Sequence, residues 1–138
     1  MASWLEFHDS RLAAVNQTAK DVEVVLDAYV HRWETFGDSW AGTGWMQPVR
    51  ILIRDAGSGS IAHVLPIDIS NGRLQVGTIT HDNMVRLPFN ASDAISLWLQ
   101  LTNADIVEFI GRGVRIDAVG EARFVEDLPA DLRPGDTG

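Results

Sequence analysis

Histidine and aspartate stand side by side twice in this 138-residue chain, as His8-Asp9 and His81-Asp82, each pair followed by a hydrogen-bonding residue, Ser10 and Asn83. Neutral imidazole and carboxylate are suitable ligands for a divalent metal, and a histidine oriented by a carboxylate is suited to general-base work. If the fold brings the two pairs together, four ligands meet and the chemistry is that of a small metal-dependent hydrolase. The competing reading is local: Asp-Ser and Asp-Asn start turns through side-chain to backbone hydrogen bonds, and the sequence favours it. A Ser-His-Asp triad can be drawn from Ser10, His81 and Asp9, but no Gly-x-Ser-x-Gly elbow is present and the spacing does not select those three. The phosphohydrolases known for a His-Asp doublet carry it on a helix, whereas both doublets here abut strands, so that analogy is set aside.

The segment from Trp33 to Trp45 holds three of the five tryptophans and reads as a loop too rich in glycine to be a strand. Loops of this length are often functional, and Trp33, Phe36, Trp40 and Trp45 are expected to form a ligand or partner surface. The alternative is a flap whose tryptophans close one end of the fold. His63 falls on an apolar face with Ile61, Leu65, Ile67 and Ile69, as a buried imidazole. His31 falls on the more polar face of its strand with Asp27 and Glu23, where a solvated outer face explains it.

Composition narrows the partners. Eleven basic against nineteen acidic residues leave a net charge of −8. Nucleic acid and anionic membranes would be repelled, and no basic stripe with interleaved aromatics offsets this. No cysteine is present, which excludes disulfides, thiolate metal sites and cysteine nucleophiles. Met1 to Glu6 lack the pattern of a secretory signal, and no apolar stretch approaches the ~20 residues that span a bilayer. A cytoplasmic, bacterial address is expected.

The elements that must position these residues are strands. Apolar alternation with period two recurs between Gly, Asn and Asp punctuation. Leu12 to Gln17 and Val22 to His31 flank a turn at Thr18-Ala19-Lys20-Asp21. Val49 to Arg54 is a third strand, ending at Gly57-Ser58-Gly59-Ser60. Ile61 to Ile69 and Arg73 to Thr80 surround Asn71-Gly72, a dipeptide suited to a type I′ hairpin turn. Val85 to Phe89 contains Pro88, which implies an edge or a bulge. Ser92 to Thr102 alternates as a strand, although Ser92 and Asp93 would also cap a helix. Ile106 to Ile110, Val114 to Val119 and Glu121 to Val125 read as a terminal meander. The fold class is all-β, a mainly antiparallel sandwich or barrel of roughly ten short strands with little helix. Residues 1–126 form one domain and residues 127–138 an extended tail.

Phe7-His8-Asp9-Ser10-Arg11-Leu12 at one end and Val114-Arg115-Ile116-Asp117-Ala118-Val119-Gly120-Glu121-Ala122 near the other resemble small bacterial β-rich proteins with an N-terminal aromatic-His-Asp-Ser signature, a domain of unknown function. The resemblance implies a compact β fold and supplies no catalytic residue. The function expected from the sequence is a soluble binding or interaction module, with no enzyme motif and no dedicated cofactor. A protein or small molecule is the partner, and a homodimer is expected because exposed strand edges associate. The alternative is the hydrolase, its metal held by His8, Asp9, His81 and Asp82.

Overall fold

The computed structural model describes residues 2–56 and 65–134. The described residues form eleven strands: β1 (Ala2–Gln17), β2 (Val22–Phe36), β3 (Ser39–Ile53), β4 (Ile67–Val76), β5 (Ile79–Asp82), β6 (Met84–Leu87), β7 (Phe89–Ala91), β8 (Ile95–Leu101), β9 (Ile106–Gly111), β10 (Val114–Ala118) and β11 (Arg123–Leu128). All pair antiparallel in the order β7-β10-β3-β2-β1-β4-β8-β9. Off this path, β11 pairs with β3, β5 with β4 and β6 with β1. The fold is all-β, and the sheet stays open rather than closing into a barrel. Among the described residues no helix is long and apolar enough to cross a membrane.

Period-two alternation builds the core. Val22, Val24, Leu26, Ala28 and Val30 of β2 share a buried face with Val49, Ile51 and Ile53 of β3 and Val114 and Ile116 of β10. That face encloses one apolar cluster with Leu74 of β4, Ile95 to Leu101 of β8, and Val107 and Phe109 of β9. The bent sheet thus covers its own inner surface, which is how an antiparallel sheet with one apolar face removes it from water. Within Ser92 to Thr102 the strand is Ile95–Leu101, and Ile95, Leu97, Leu99 and Leu101 are all buried in the core.

Several local expectations are corrected. Asn71-Gly72 is no turn but lies inside β4, beside a register irregularity between Ile69 and Asn71. Gly72 is there because the Phe7 ring passes over it: an added Cβ would sit 2.5 Å from Phe7 Cγ. The hairpin turn falls instead at Gly77-Thr78, where Gly77 takes a φ of 57°. The segment from Trp33 to Trp45 is not a loop, since β2 and β3 pair without interruption to Phe36 and Ser39 around a two-residue turn with Gly37 at φ 63°. Gly42 and Gly44 lie under aromatic rings of the neighbouring strand, where an added Cβ would be 2.3 Å from Trp33 at Gly42 and 2.1 Å from the Tyr29 hydroxyl at Gly44.

The terminal meander is also replaced, because β9 pairs with β8 while β10 and β11 both pair with β3. Pro88 ends β6, and β7 continues on a different partner, β10. The expected tail from residue 127 begins later: β11 runs to Leu128, and Ala130–Leu132 form a 3-10 turn. His63, the Gly57-Ser58-Gly59-Ser60 turn and the first half of the strand expected at Ile61 to Ile69 lie outside the described residues.

Candidate functional site

The Phe7-His8-Asp9-Ser10 segment forms a large bulge in β1. Glu6 pairs with Tyr29 and Arg11 with Asp27, so four residues of β1 stand opposite Ala28 alone. A bulge of this kind turns side chains that regular alternation would hide. Phe7 is driven into the core and His8 and Asp9 outward, with Asp9 at φ 72°, a left-handed conformation that Asp tolerates better than most residues. The bulge is also where the outer edge of β1 changes partner, from β6 at residues 3–6 to β4 at Arg11 and Leu12.

Hydrogen bonds fix the bulge on both sides. The Phe7 amide donates to the Asn83 carbonyl, and the His8 amide donates to Asn83 Oδ1 at 2.9 Å. Asn83, itself at φ 64°, donates its own amide to the Gly72 carbonyl. Ser10 is 1% exposed; its hydroxyl donates to the Glu6 carbonyl and accepts from the Tyr29 amide at 2.9 Å. With donor and acceptor capacity both committed to backbone, this hydroxyl holds the bulge and is not a nucleophile awaiting a base.

Beside the bulge opens a cleft of about 540 Å³. Its walls carry His8, Asp9 and Arg11 of β1, Asp27 of β2, Met46 of β3, Asp68, Ile69 and Ser70 of β4, Thr102 just after β8, and Arg123 of β11. Arg11 Nε lies 2.9 Å from Asp68 Oδ1, and Arg123 Nη2 lies 3.1 and 3.2 Å from the two Asp27 oxygens. His8 Nδ1 is 3.0 Å from the Ser70 carbonyl, and its Nε2 is 3.7 Å from Asp9 Oδ1. The outcome is a polar, partly charge-paired cleft with two apolar side chains in its wall.

The four expected metal ligands do not assemble. Among the described residues no group of three or more His, Asp or Glu is arranged to hold a metal ion. His81 pairs across β5 and β4 with Leu74 and packs edge-on against Phe89, with ring centroids 5.2 Å apart, while Asp82 pairs with Arg73. The second doublet serves the sheet, and of that segment Asn83 reaches the first.

The four aromatic residues of the β2–β3 hairpin divide. Trp33 is 1% exposed, Phe36 is 64% and Trp40 is 37% exposed, and Trp45 is half-buried. Arg133 stacks over the Trp40 ring and Arg32 over the Trp45 ring, 4.2 and 4.5 Å from the ring centroids. Phe124 packs edge-on against Trp45. Strand alternation places Trp33 and Trp40 on one face of the hairpin and Phe36 and Trp45 on the other, and Phe36 and Trp40 are the exposed pair.

The outward face of β2 is not solvated at His31, which is 5% exposed beneath Tyr29 and near Glu6. Neither His31 ring nitrogen nor Trp33 Nε1 has a hydrogen-bond partner among the described residues, although His31 Nε2 lies 3.3 Å from Glu6 Oε2, within ion-pair reach but off the line of a hydrogen bond. Tyr29, the single tyrosine, donates to Glu126. Burial, the Glu126 carboxylate and the more distant charges of Glu6 and Asp9 push its hydroxyl well above the ordinary tyrosine value.

A raised folded-state value means that the native protein holds this proton more tightly than the unfolded chain does. The associated stability is present below pH ~10, the ordinary tyrosine range, and is lost as pH rises above it. Urea unfolding of parent and Tyr29→Phe between neutral and alkaline pH is expected to show a steeper alkaline decline in the parent; parallel curves reject the assignment.

Compared with protein-family models, curated proteins and solved structures, the chain matches none.

Proposed function

We propose that this chain is a non-catalytic binding module whose ligand occupies the cleft at the β1 bulge. One observation carries the reading: the bulge holds Asp9 at φ 72° and brings it, with an oriented His8, to a cleft whose walls come from six places in the chain. Backbone strain is retained where surrounding structure over-determines it, commonly at ligand sites, and bulges are enriched there. Against catalysis by a serine nucleophile stands the committed Ser10 hydroxyl. Pocket size and the mixture of convergent polar groups with Ile69 and Met46 suit a small polar molecule.

Thermal-shift screening of the parent and Thr102→Trp against amines, amino acids, sugars and inorganic phosphate tests the proposal. Thr102 is an exposed wall residue, so an indole there fills the cleft without disturbing the core. At least one class is expected to stabilise the parent and to lose that effect in Thr102→Trp. A screen without a hit, or a hit indifferent to the indole, rejects the cleft as the site.

We also propose a homodimer through β9. Among the described residues β9 pairs with β8 alone, and its outward Ile106 and Ile110 are 57% and 62% exposed. An unpaired edge bearing apolar side chains favours pairing with another strand. Sedimentation at micromolar concentration should give a dimer for the parent and a monomer for Ile110→Lys; a monomeric parent rejects the interface.

A further inference from the structure

The His8 ring is held by Nδ1, 3.0 Å from the Ser70 carbonyl oxygen. A carbonyl oxygen only accepts, so Nδ1 carries the hydrogen and, in the neutral ring, Nε2 presents a lone pair. That lone pair lies 3.7 Å from Asp9 Oδ1, a second acceptor. The separation is too long for one hydrogen bond, but a single nitrogen donor about 2.9 Å from each atom would satisfy both.

The charges say which donor. Asp68 and Asp27 are taken by Arg11 and Arg123, which among the described residues leaves Asp9 as the cleft carboxylate without a guanidinium. An anion would meet two guanidiniums already paired and one uncompensated carboxylate, and the net charge of −8 opposes its approach. A divalent ion would find two ligands, short of a tetrahedral shell, and no larger group of His, Asp and Glu among the described residues supplies more. A quaternary ammonium has no N–H and is held by cages of Trp, Tyr and Phe, whereas none of these among the described residues lines this cleft. A primary ammonium fits: it offers several N–H donors on one nitrogen and a positive charge for Asp9. Ile69 and Met46 in the same wall accept a short aliphatic stem.

We infer that His8 and Asp9 together seat a primary alkylammonium group, a conclusion that rests on the cleft being the binding site. The ligand is a short-chain amine, supplied free or as a lysine side chain, held by its nitrogen between Nε2 and Oδ1.

The test is a titration followed through the His8 ring resonances by nuclear magnetic resonance, with n-butylamine, n-butyltrimethylammonium and Nα-acetyl-lysine N-methylamide as probes. Butylamine is expected to shift the ring signals, with a dissociation constant on the order of millimolar for so small a ligand. The trimethylated probe is expected to leave them unmoved. Asp9→Asn should weaken butylamine about three- to tenfold, as expected for loss of one solvent-exposed charge-assisted contact. Asn tolerates positive φ at least as well as Asp, so this variant keeps the bulge, and circular dichroism checks it.

Tighter binding of the lysine derivative assigns the ammonium to a lysyl partner, and preference for butylamine assigns it to a free amine; either supports the site. Undisturbed ring signals with both amines, equal response to the trimethylated probe, or unchanged binding by Asp9→Asn overturns it. If another compound binds and is lost in Thr102→Trp while the amines fail, the cleft stands and the ammonium assignment falls. If no compound in the screen binds, the cleft reading falls with it.

Discussion

Trp33→Ala is expected to lower the unfolding free energy by about 3–5 kcal/mol, the usual result of emptying a large aromatic site in a packed interior. The ring is 1% exposed and lies against Gly42 of the facing strand, where the absent side chain makes room for it. Removing the ring opens a cavity that the hairpin backbone is poorly placed to fill. Phe36→Ala, three residues further along β2 and 64% exposed, should change stability by no more than about 0.5 kcal/mol. Urea unfolding of both variants beside the parent measures the contrast. Equal effects would mean that the tip and base of the hairpin are packed alike, contrary to the structure.

Gly72→Val is the second substitution of large effect. The new Cβ would lie 2.5 Å from Phe7 Cγ and 2.6 Å from Phe7 Cβ, and Phe7 is completely buried. Phe7 anchors the bulge from beneath, so it has no free rotamer to retreat into without moving His8 and Asp9. Overpacking of this severity is expected to cost at least about 1–3 kcal/mol. The same change should abolish ligand-dependent stabilisation at the cleft, while Asn71→Ser, on the exposed face of the same strand, should leave both properties nearly unchanged. A fully stable Gly72→Val protein that retains binding would show that Phe7 does not position the site.

Much of the fold was legible because burial on one face imposes alternation. Ile95, Leu97, Leu99 and Leu101 announce β8, and Val22, Val24, Leu26, Ala28 and Val30 announce β2, without reference to any partner strand. The glycines were misread because sequence does not say why a glycine is present. At Gly77 the reason is positive φ, whereas at Gly72, Gly42 and Gly44 it is an aromatic ring from another strand. The first reason is local and visible in a dipeptide such as Asn-Gly. The second requires knowing which strand lies alongside.

The site divided in the same way. Phe7-His8-Asp9-Ser10 stood out by residue type, and the structure makes it the bulge at the cleft. Nothing local joined His8 to Ser70, Arg11 to Asp68 or Arg123 to Asp27, pairs separated by 62, 57 and 96 positions. The metal reading asked His81 to meet His8; the strand instead delivers Asn83 to that place, one residue past the doublet, because its left-handed backbone turns β5 into β6 there.

The pairing of β11 with β3 bears on the order in which the protein is made. Arg123, the last in chain order of the described cleft residues, is synthesised 96 positions after its partner Asp27 and well after His8 and Asp9. Contacts of such separation carry a large loop-closure entropy and form slowly. The nascent chain therefore exposes Asp27, Tyr29 and the flank of β3 at Gly42 to Met46 until β11 emerges to cover them. During that interval the half-built cleft has carboxylates on its wall without the guanidinium that later balances Asp27. The finished cleft is in this way tied to synthesis of β11: a ribosome-bound intermediate halted before residue 123 would hold every residue of the apolar core cluster while lacking the Arg123 part of the cleft wall.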